Sequence, residues 1–556
     1  MRIKVFFKKI LFTKLFCFVI MKEQNIFEVA FMENRVCFER RWFMCDYARQ
    51  RSFVREEFSL LLDGLARLGY NGVGLYLEGA FAFASIPGVI REGVMTKDDA
   101  KWAVEEGKKR GIFVFPMTNV VGHMEHFFWQ ERFRDLCGKN PNLMEMNFLD
   151  ERAEAFAMQI AREYIDAFGT TFMHIGGDEV ELTEETKIPY AKFLAKICKN
   201  LLDKGITPAI WNDMIWMDQP LCEYFDRRVA IFDWNYYGHR PESPAFFRDL
   251  GFETVLACPC DNSWEGFYCH QHVSGYLRSR KDMPVKSYEV EAMFEDAKNA
   301  SVYNGFFTHW ENTYGANLWG QWTAFARGGL YMSGKLSERE ENDELIEERL
   351  FGRQTPYSAV THVLQDEAPY DPFFGMMRNA LYKPEAFRKL YSCLHELDGV
   401  RKIDFYAAAQ KAEDLLLTWK PEGAFEENCY LSMLAICDMM RASRTLLAAF
   451  DTTKAYNDAA KRQFEDKAFA LSVLDEMQKA YDDAIRAIKK YAQTHERAIA
   501  STGHTRNDLA LLSETVEVLN RIKALLSGVG NAVDRIPFPR FERLLDRATV
   551  GKFIIT

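Results

Sequence analysis

From about Val36 onward, short apolar runs alternate with longer stretches in which apolar residues recur every three or four positions. Eight such runs can be counted, at residues 36–44, 72–77, 113–117, 172–175, 207–211, 229–234, 253–257 and 305–310. Each is strand-length, whereas the stretches between them, such as 56–68, 97–110, 151–168 and 190–204, carry the one-sided pattern of helices packed on a sheet. Strand and helix alternating eight times predicts an α/β fold, a (β/α)8 TIM barrel, over residues 36–335. After about Leu336 the strand-like runs stop, and segments rich in Ala, Leu, Glu, Lys and Arg predict an all-α C-terminal domain over 336–556. There Leu474, Met477, Tyr481, Ile485 and Ile488 form one apolar stripe, and Leu512, Val516, Leu519 and Ile522 another. Two glycines, an asparagine and two prolines between Gly528 and Pro539 predict a break before a last short helix near 541–547.

In a barrel of this kind the chemistry lies at the carboxyl ends of the strands, so the residues just after each run are the candidates. The fourth run ends in His174-Ile175-Gly176-Gly177-Asp178-Glu179, an apolar strand running into two glycines and two adjacent carboxylates. An isolated Asp-Glu pair is equally well read as a helix cap and first-turn charge. What distinguishes this one is company. The first run contains Arg41, the second ends in Glu78, and the third leads into Gly122-His123-Met124-Glu125. Trp211 with Asp213 follows the fifth run, Trp234, Tyr236 and Tyr237 the sixth, Trp264 the seventh, and Trp310, Glu311 and Asn312 the eighth. Any one tryptophan is commonly core, and any one Arg or Glu a surface charge. Four indoles after four consecutive runs suit the apolar faces of a pyranose ring.

Composition narrows the partners. The 556 residues are 48% hydrophobic and 27% charged, the profile of a soluble globular chain, with ample length for two domains. A net charge of −10 disfavours nucleic acid and anionic membrane surfaces, which require concentrated positive charge. The twelve cysteines are scattered without any Cys-x-x-Cys spacing, which predicts free thiols, no structural zinc site and a reducing, cytoplasmic setting. Residues 1–35 read as an N-terminal extension. Its lysines interrupt the apolar residues of the first twenty-one and no Ala-x-Ala-like site follows, so translation starting at Met21 and export through an atypical signal both stay open.

The string from His174 to Glu179 resembles the His-x-Gly-Gly-Asp-Glu signature of family 20 glycoside hydrolases, the β-N-acetylhexosaminidases. Arg41-Trp-Phe-Met-Cys-Asp46-Tyr-Ala-Arg49 is similar to the family's Arg-Gly-x-x-x-Asp-x-x-Arg, with Trp42 in place of the glycine. The resemblance spans roughly 40–328 and leaves the helical segment outside it. It implies a retaining, exo-acting hydrolase that removes terminal GlcNAc or GalNAc from an oligosaccharide or glycoconjugate. The substrate's own 2-acetamido group would be the nucleophile, Glu179 the acid/base and Asp178 the orienting carboxylate. No metal or other cofactor would be needed. By the same resemblance Arg41 would grip sugar hydroxyls, Glu78 would lie near the sugar, His123 would help hold Asp178 or Glu179, and Tyr236 or Tyr237 would meet the acetamido group. The family's Tyr-x-Asp on the seventh strand and Trp-x-Glu on the eighth are replaced here by the segment 258–264 and by Trp310-Glu311-Asn312. Neighbouring negative charge and partial burial predict a raised Glu179 carboxyl. Two alternatives stand beside this reading: a non-catalytic carbohydrate-binding or scaffold protein on the same barrel, and a barrel glycosidase whose nucleophile is a third carboxylate such as Glu78, Asp213 or Glu311.

Overall fold

The computed structural model describes residues 37–49, 51–86, 88, 93–139, 143–236, 240–260, 289–311, 314–315, 317–336, 342–366, 373–394, 404–503 and 507–550. Eight strands follow the predicted runs, slightly trimmed: β1 (Arg40–Asp46), β2 (Gly72–Tyr76), β3 (Phe113–Met117), β4 (Phe172–His174), β5 (Thr207–Trp211), β6 (Ala230–Asp233), β7 (Val255–Ala257) and β8 (Asn304–Phe307). They pair in sequence order, and β8 closes on β1 with Arg41 opposite Gly305, so the sheet is a parallel barrel without edges. Between strands lie α1 (Arg55–Leu68), α2 (Lys97–Lys109), α3 (Glu125–Phe128), α4 (Ala153–Phe168), α5 (Lys187–Leu202), α6 (Asp213–Met217), α7 (Ser243–Asp249) and α8 (Glu289–Asn299), with α9 (Trp322–Met332) after β8. Their boundaries follow local chemistry. A capping box between Thr96 and Asp99 starts α2, and Gly69, at φ 92°, ends α1 in the left-handed conformation.

Strand alternation sends one face of each strand into the barrel, where Trp42, Met44, Phe115, Met117, Phe172, Trp211, Phe232, Leu256 and Phe306 pack as a core. The floor is unusually aromatic. Trp42 lies within ring contact of Phe115 and Phe172, and its neighbour in register on β2 is Gly72. A Cβ there would approach the Trp42 ring to 2.2 Å. A bulky indole on one strand is thus accommodated by a missing side chain on the next.

Beyond the barrel the described residues are helical. The longest helices are α10 (Gly423–Asp451), α11 (Lys467–Ile499) and α12 (Asn507–Asn531), and the stripe from Leu474 to Ile488 is buried on α11. One expectation is corrected here. α12 continues through Gly528 and Gly530 to Asn531, so the break begins after the glycines. The helical segment also grips the barrel's loops. Ser52 N donates to the Gly503 carbonyl, and Gly315 N donates to Asp508 Oδ2 at 3.0 Å. Lower down, Phe425 of α10 packs on Trp319 and Trp322. No described helix is long and apolar enough to cross a membrane, and no disulfide joins the described cysteines.

Candidate active site

β4 ends at His174, and the next turn is possible because of its two glycines. Gly176 and Gly177 have φ of 74° and 97°, in the region that a Cβ resists. Gly176 N donates to His174 Nδ1 at 3.1 Å, which leaves the proton of the neutral imidazole on Nε2; burial keeps that ring uncharged, pushing its pKa down to about 3. Tyr190, on α5, donates to the Gly177 carbonyl and secures the far side of the turn. Asp178 then emerges buried, while the Glu179 side chain is 50% exposed and so open to a ligand.

Three residues without glycine's freedom nevertheless adopt left-handed backbone at consecutive strand ends: Glu78 at φ 43°, His123 at 45° and Glu179 at 51°. Each such conformation costs on the order of 1–3 kcal/mol and persists only where the surroundings enforce it, typically at functional sites. The three converge. His123 Nε2 lies 3.5 Å from Asp178 Oδ2 and 3.2 Å from Glu179 Oε2. Burial alone would lower the imidazole, but the charge of Asp178 and bonds to both carboxylates lift it to about 11. In return, the bond from His123 holds Glu179 below the usual carboxylate range, against partial burial. The expected upward shift of Glu179 is therefore reversed, because a cation sits on the same oxygen.

Glu78 is held separately. Tyr76 OH donates to its Oε1 at 2.5 Å, and His126 Nδ1 lies 3.0 Å from Oε2. Burial would raise this carboxyl, but His126, Arg49 and His123 bring it down to about 2. Arg49 bonds Asp46 at 3.0 Å and stacks over both Tyr76 and Trp310. Glu78, Glu125 and His126 place their ligand atoms within 4.8 Å of one another, the one such group among the described residues.

The aromatic wall is assembled from β5, β6 and β8. Trp211 packs on His174 with ring centroids 4.4 Å apart and lies 6.1 Å from Trp310. Trp234 packs on Tyr236, whose hydroxyl meets Thr308 Oγ1 at 2.8 Å and accepts from Trp310 Nε1 at 3.2 Å. Tyr237, Trp264 and Asn312 lie outside the described residues. Arg41 is not brought to this end. It sits at the amino-terminal end of β1, its guanidinium donating to the Phe38 and Gly69 carbonyls, because Trp42 takes the inward position beside it. Of the proposed third carboxylates, Glu311 is buried with Arg51 and His309.

Arg49, Asn119 and His126 were not singled out for the site from sequence, and Asp213 only as an alternative nucleophile. Asp213 opens α6, and its Oδ2 accepts from Glu179 N at 2.9 Å. Burial, then the charge of Asp178, push its carboxyl up to about 8. Asn119 Nδ2 donates to Tyr76 OH at 3.0 Å, linking the Gly-Gly turn to Glu78. Arg49 and Asp46 were visible as letters of the first-strand string, whereas the parts taken by His126 and Asp213 emerge only through tertiary contact.

The fold and the convergent strand ends define a TIM barrel with an acidic, aromatic-walled site at the carboxyl ends of its strands. Residues 75–257 match the family model for glycosyl hydrolase family 20, catalytic domain. The chain is 25% identical over 169 residues to the β-hexosaminidase subunit beta of Entamoeba histolytica, covering 27% of this chain and 30% of that one. It is 26% identical over 173 residues to a lacto-N-biosidase of Bifidobacterium bifidum, covering 26% of this chain and 15% of that protein. The chain thus spans under a third of these relatives' lengths. Among solved structures, the β-N-acetylhexosaminidase of Bacteroides fragilis is similar with TM-score 0.44 and 17% identity, over 60% of this chain and 71% of that one. The Streptomyces coelicolor β-N-acetylhexosaminidase gives 0.42 and 16%, over 57% and 70%.

Proposed function

We propose that the protein is a retaining exo-β-N-acetylhexosaminidase acting on oligosaccharides or glycoconjugates with a terminal β-linked N-acetylhexosamine. The observation that carries this is the contiguity of Asp178 and Glu179, with His123 bridging both. Adjacent carboxylates cannot flank a glycosidic bond from opposite faces, as a separate acid and nucleophile require, so the attacking group must come from elsewhere. The substrate's 2-acetamido oxygen supplies it, attacking the anomeric carbon to form an oxazolinium as the leaving oxygen departs. Holding that group in line supplies the advantage of an intramolecular reaction.

Glu179, the more exposed of the pair, protonates the leaving oxygen and then takes a proton from the water that opens the intermediate. At rest its proton resides on His123; the pair holds one proton between two sites, and moving it to Glu179 yields the acid without any change in net charge. Asp178, buried and charged, orients the acetamido N–H and stabilises the positive charge that develops on the ring formed. Trp234 and Trp310, the partly exposed rings of the wall, offer apolar faces to the sugar and its methyl group, while Trp211 backs them from the barrel core. The barrel over 36–335 carries this chemistry, the helical segment over 336–556 braces it, and the protein works in the cytoplasm.

The test is hydrolysis of a chromogenic N-acetyl-β-glucosaminide beside the plain β-glucoside. Preference for the 2-acetamido sugar, lost in Glu179→Gln and Asp178→Asn, is expected. Equal cleavage of the plain glucoside would favour a separate carboxylate nucleophile, and binding without turnover would favour the scaffold reading.

A further inference from the structure

The catalytic pair is held from below by a residue that neither donates to nor accepts from the sugar in the mechanism above. Asp213 stands at the start of α6, one strand away from the pair, and its Oδ2 accepts the N–H of Glu179 at 2.9 Å. That N–H belongs to a residue with φ 51°, so the bond fixes the strained backbone from which the acid projects. The other oxygen, Oδ1, is buried without a partner among the described residues, and so is Oδ1 of Asp178. Buried acceptors left unsatisfied are costly, and two buried neighbouring carboxylates cannot both stay ionised.

We propose that Asp213 is a positioning residue for the pair: its carboxyl carries a proton that it donates from Oδ1 to Asp178, while Oδ2 accepts from the Glu179 N–H. One side chain would then set both members at once, keeping Asp178 anionic and aimed and Glu179 in its left-handed conformation. The groups facing Asp213 are Asp178 and Glu179 at the end of β4 and Tyr190 on α5, and behind them His123, which touches both Asp178 and Glu179. His123, the one cation among them, is paired with Asp178 and Glu179 instead. Burial and the Asp178 charge, which push the carboxyl up to about 8, agree with this geometry. An asparagine at 213 preserves both an N–H donor and a carbonyl acceptor, whereas an alanine preserves neither.

This role rests on the function proposed above, so its test has one arm that needs no activity. Wild type, Asp213→Asn and Asp213→Ala are compared by denaturant unfolding from pH 4 to 9. A carboxyl whose folded pKa is raised loses stability as pH climbs from its unfolded value near 3.8 to about 8. Wild type should therefore lose stability relative to Asp213→Asn across that window, and a constant difference would overturn the shared proton whatever the protein hydrolyses. In the second arm, kcat and KM are followed on the chromogenic N-acetyl-β-glucosaminide. Alanine should lower kcat by roughly 100-fold with little change in KM. Asparagine should recover most of that loss and lack the wild-type decline near pH 8. Asparagine behaving like alanine, or sharing the wild-type alkaline limb, would refute the positioning role. If wild type turns over no N-acetylhexosaminide, the functional proposal falls and the unfolding arm still decides the proton. Should alanine fail to fold, asparagine against wild type carries both arms.

Discussion

A Cβ built on Gly176 would sit 1.3 Å from Oδ1 of Asn119. Asn119 in turn donates to Tyr76, and Tyr76 to Glu78, so the first glycine of the turn abuts a hydrogen-bonded line across three strand ends. Gly176→Ala should cost about 1–2 kcal/mol in backbone strain alone, before Asn119 is displaced. The expected outcome is a lower melting temperature and a loss of kcat larger than any rise in KM. A variant with wild-type stability and rate would show that the turn tolerates a side chain.

If Glu179 is the acid, its importance depends on how much help the leaving group needs. Glu179→Gln should lose about 100- to 10,000-fold on an alkyl N-acetylglucosaminide and far less on a dinitrophenyl one, whose oxygen departs unprotonated. Equal losses on the two substrates would place the proton elsewhere.

His123→Gln removes the bond and charge that hold Glu179 down and leaves partial burial opposed only by the charge of Arg49. The carboxyl should then rise, yet with no partner to store its proton the alkaline limb of kcat/KM, set in wild type by the proton that the pair keeps on His123, should move to lower pH. An unmoved limb would mean that the two groups do not share a proton.

For Glu78 the sign runs opposite to Asp213. Its folded pKa is depressed from 4.5 to about 2, so its pH-dependent stabilisation is present above pH 4.5 and is lost as pH falls through 2. Linkage puts that contribution on the order of 3 kcal/mol. Urea unfolding of wild type and Glu78→Gln from pH 6 to 2 should show the wild-type advantage shrinking across that window. A gap that stays constant would mean that His126 and Arg49 do not hold the carboxylate.

The floor of the barrel offers a packing test. Gly72→Ala presses on the Trp42 ring and should destabilise by about 1–3 kcal/mol. Combining it with Trp42→Phe should recover part of that loss, since neighbours sharing one space are not additive. Strict additivity in a double-mutant cycle would show that the two do not share that space.

Trp42 also explains what could be read from the chain and what could not. The eight strands were legible because period-2 and period-3.6 patterns alternate along the whole barrel, and Asp178, Glu179, His123 and Glu78 follow strands directly. Arg41 was assigned from its place in a string, but it precedes an inward-facing indole near the start of its strand, so it faces outward at the wrong end. Asp213 was legible as a carboxylate after the fifth strand, but its hold on Glu179 was not, because that contact arises where the ends of β4 and β5 touch. Two glycines, an asparagine and two prolines over 528–539 predict a break from Gly528, yet the helix runs on to Asn531 despite glycine's cost of about 1 kcal/mol each. Burial of Leu519, Ile522 and Leu526 on the same helix outweighs it.

The contacts of Ser52 with Gly503 and of Gly315 with Asp508 bear on any attempt to shorten the protein. A polypeptide ending near Lys335 would strip these fastenings from the two loops that flank Arg49 and Trp310, on the rim where a sugar would enter. Trimming the helices would thus loosen the entrance before it touched the strands, and the barrel is best regarded as inseparable from the helices that clasp its rim.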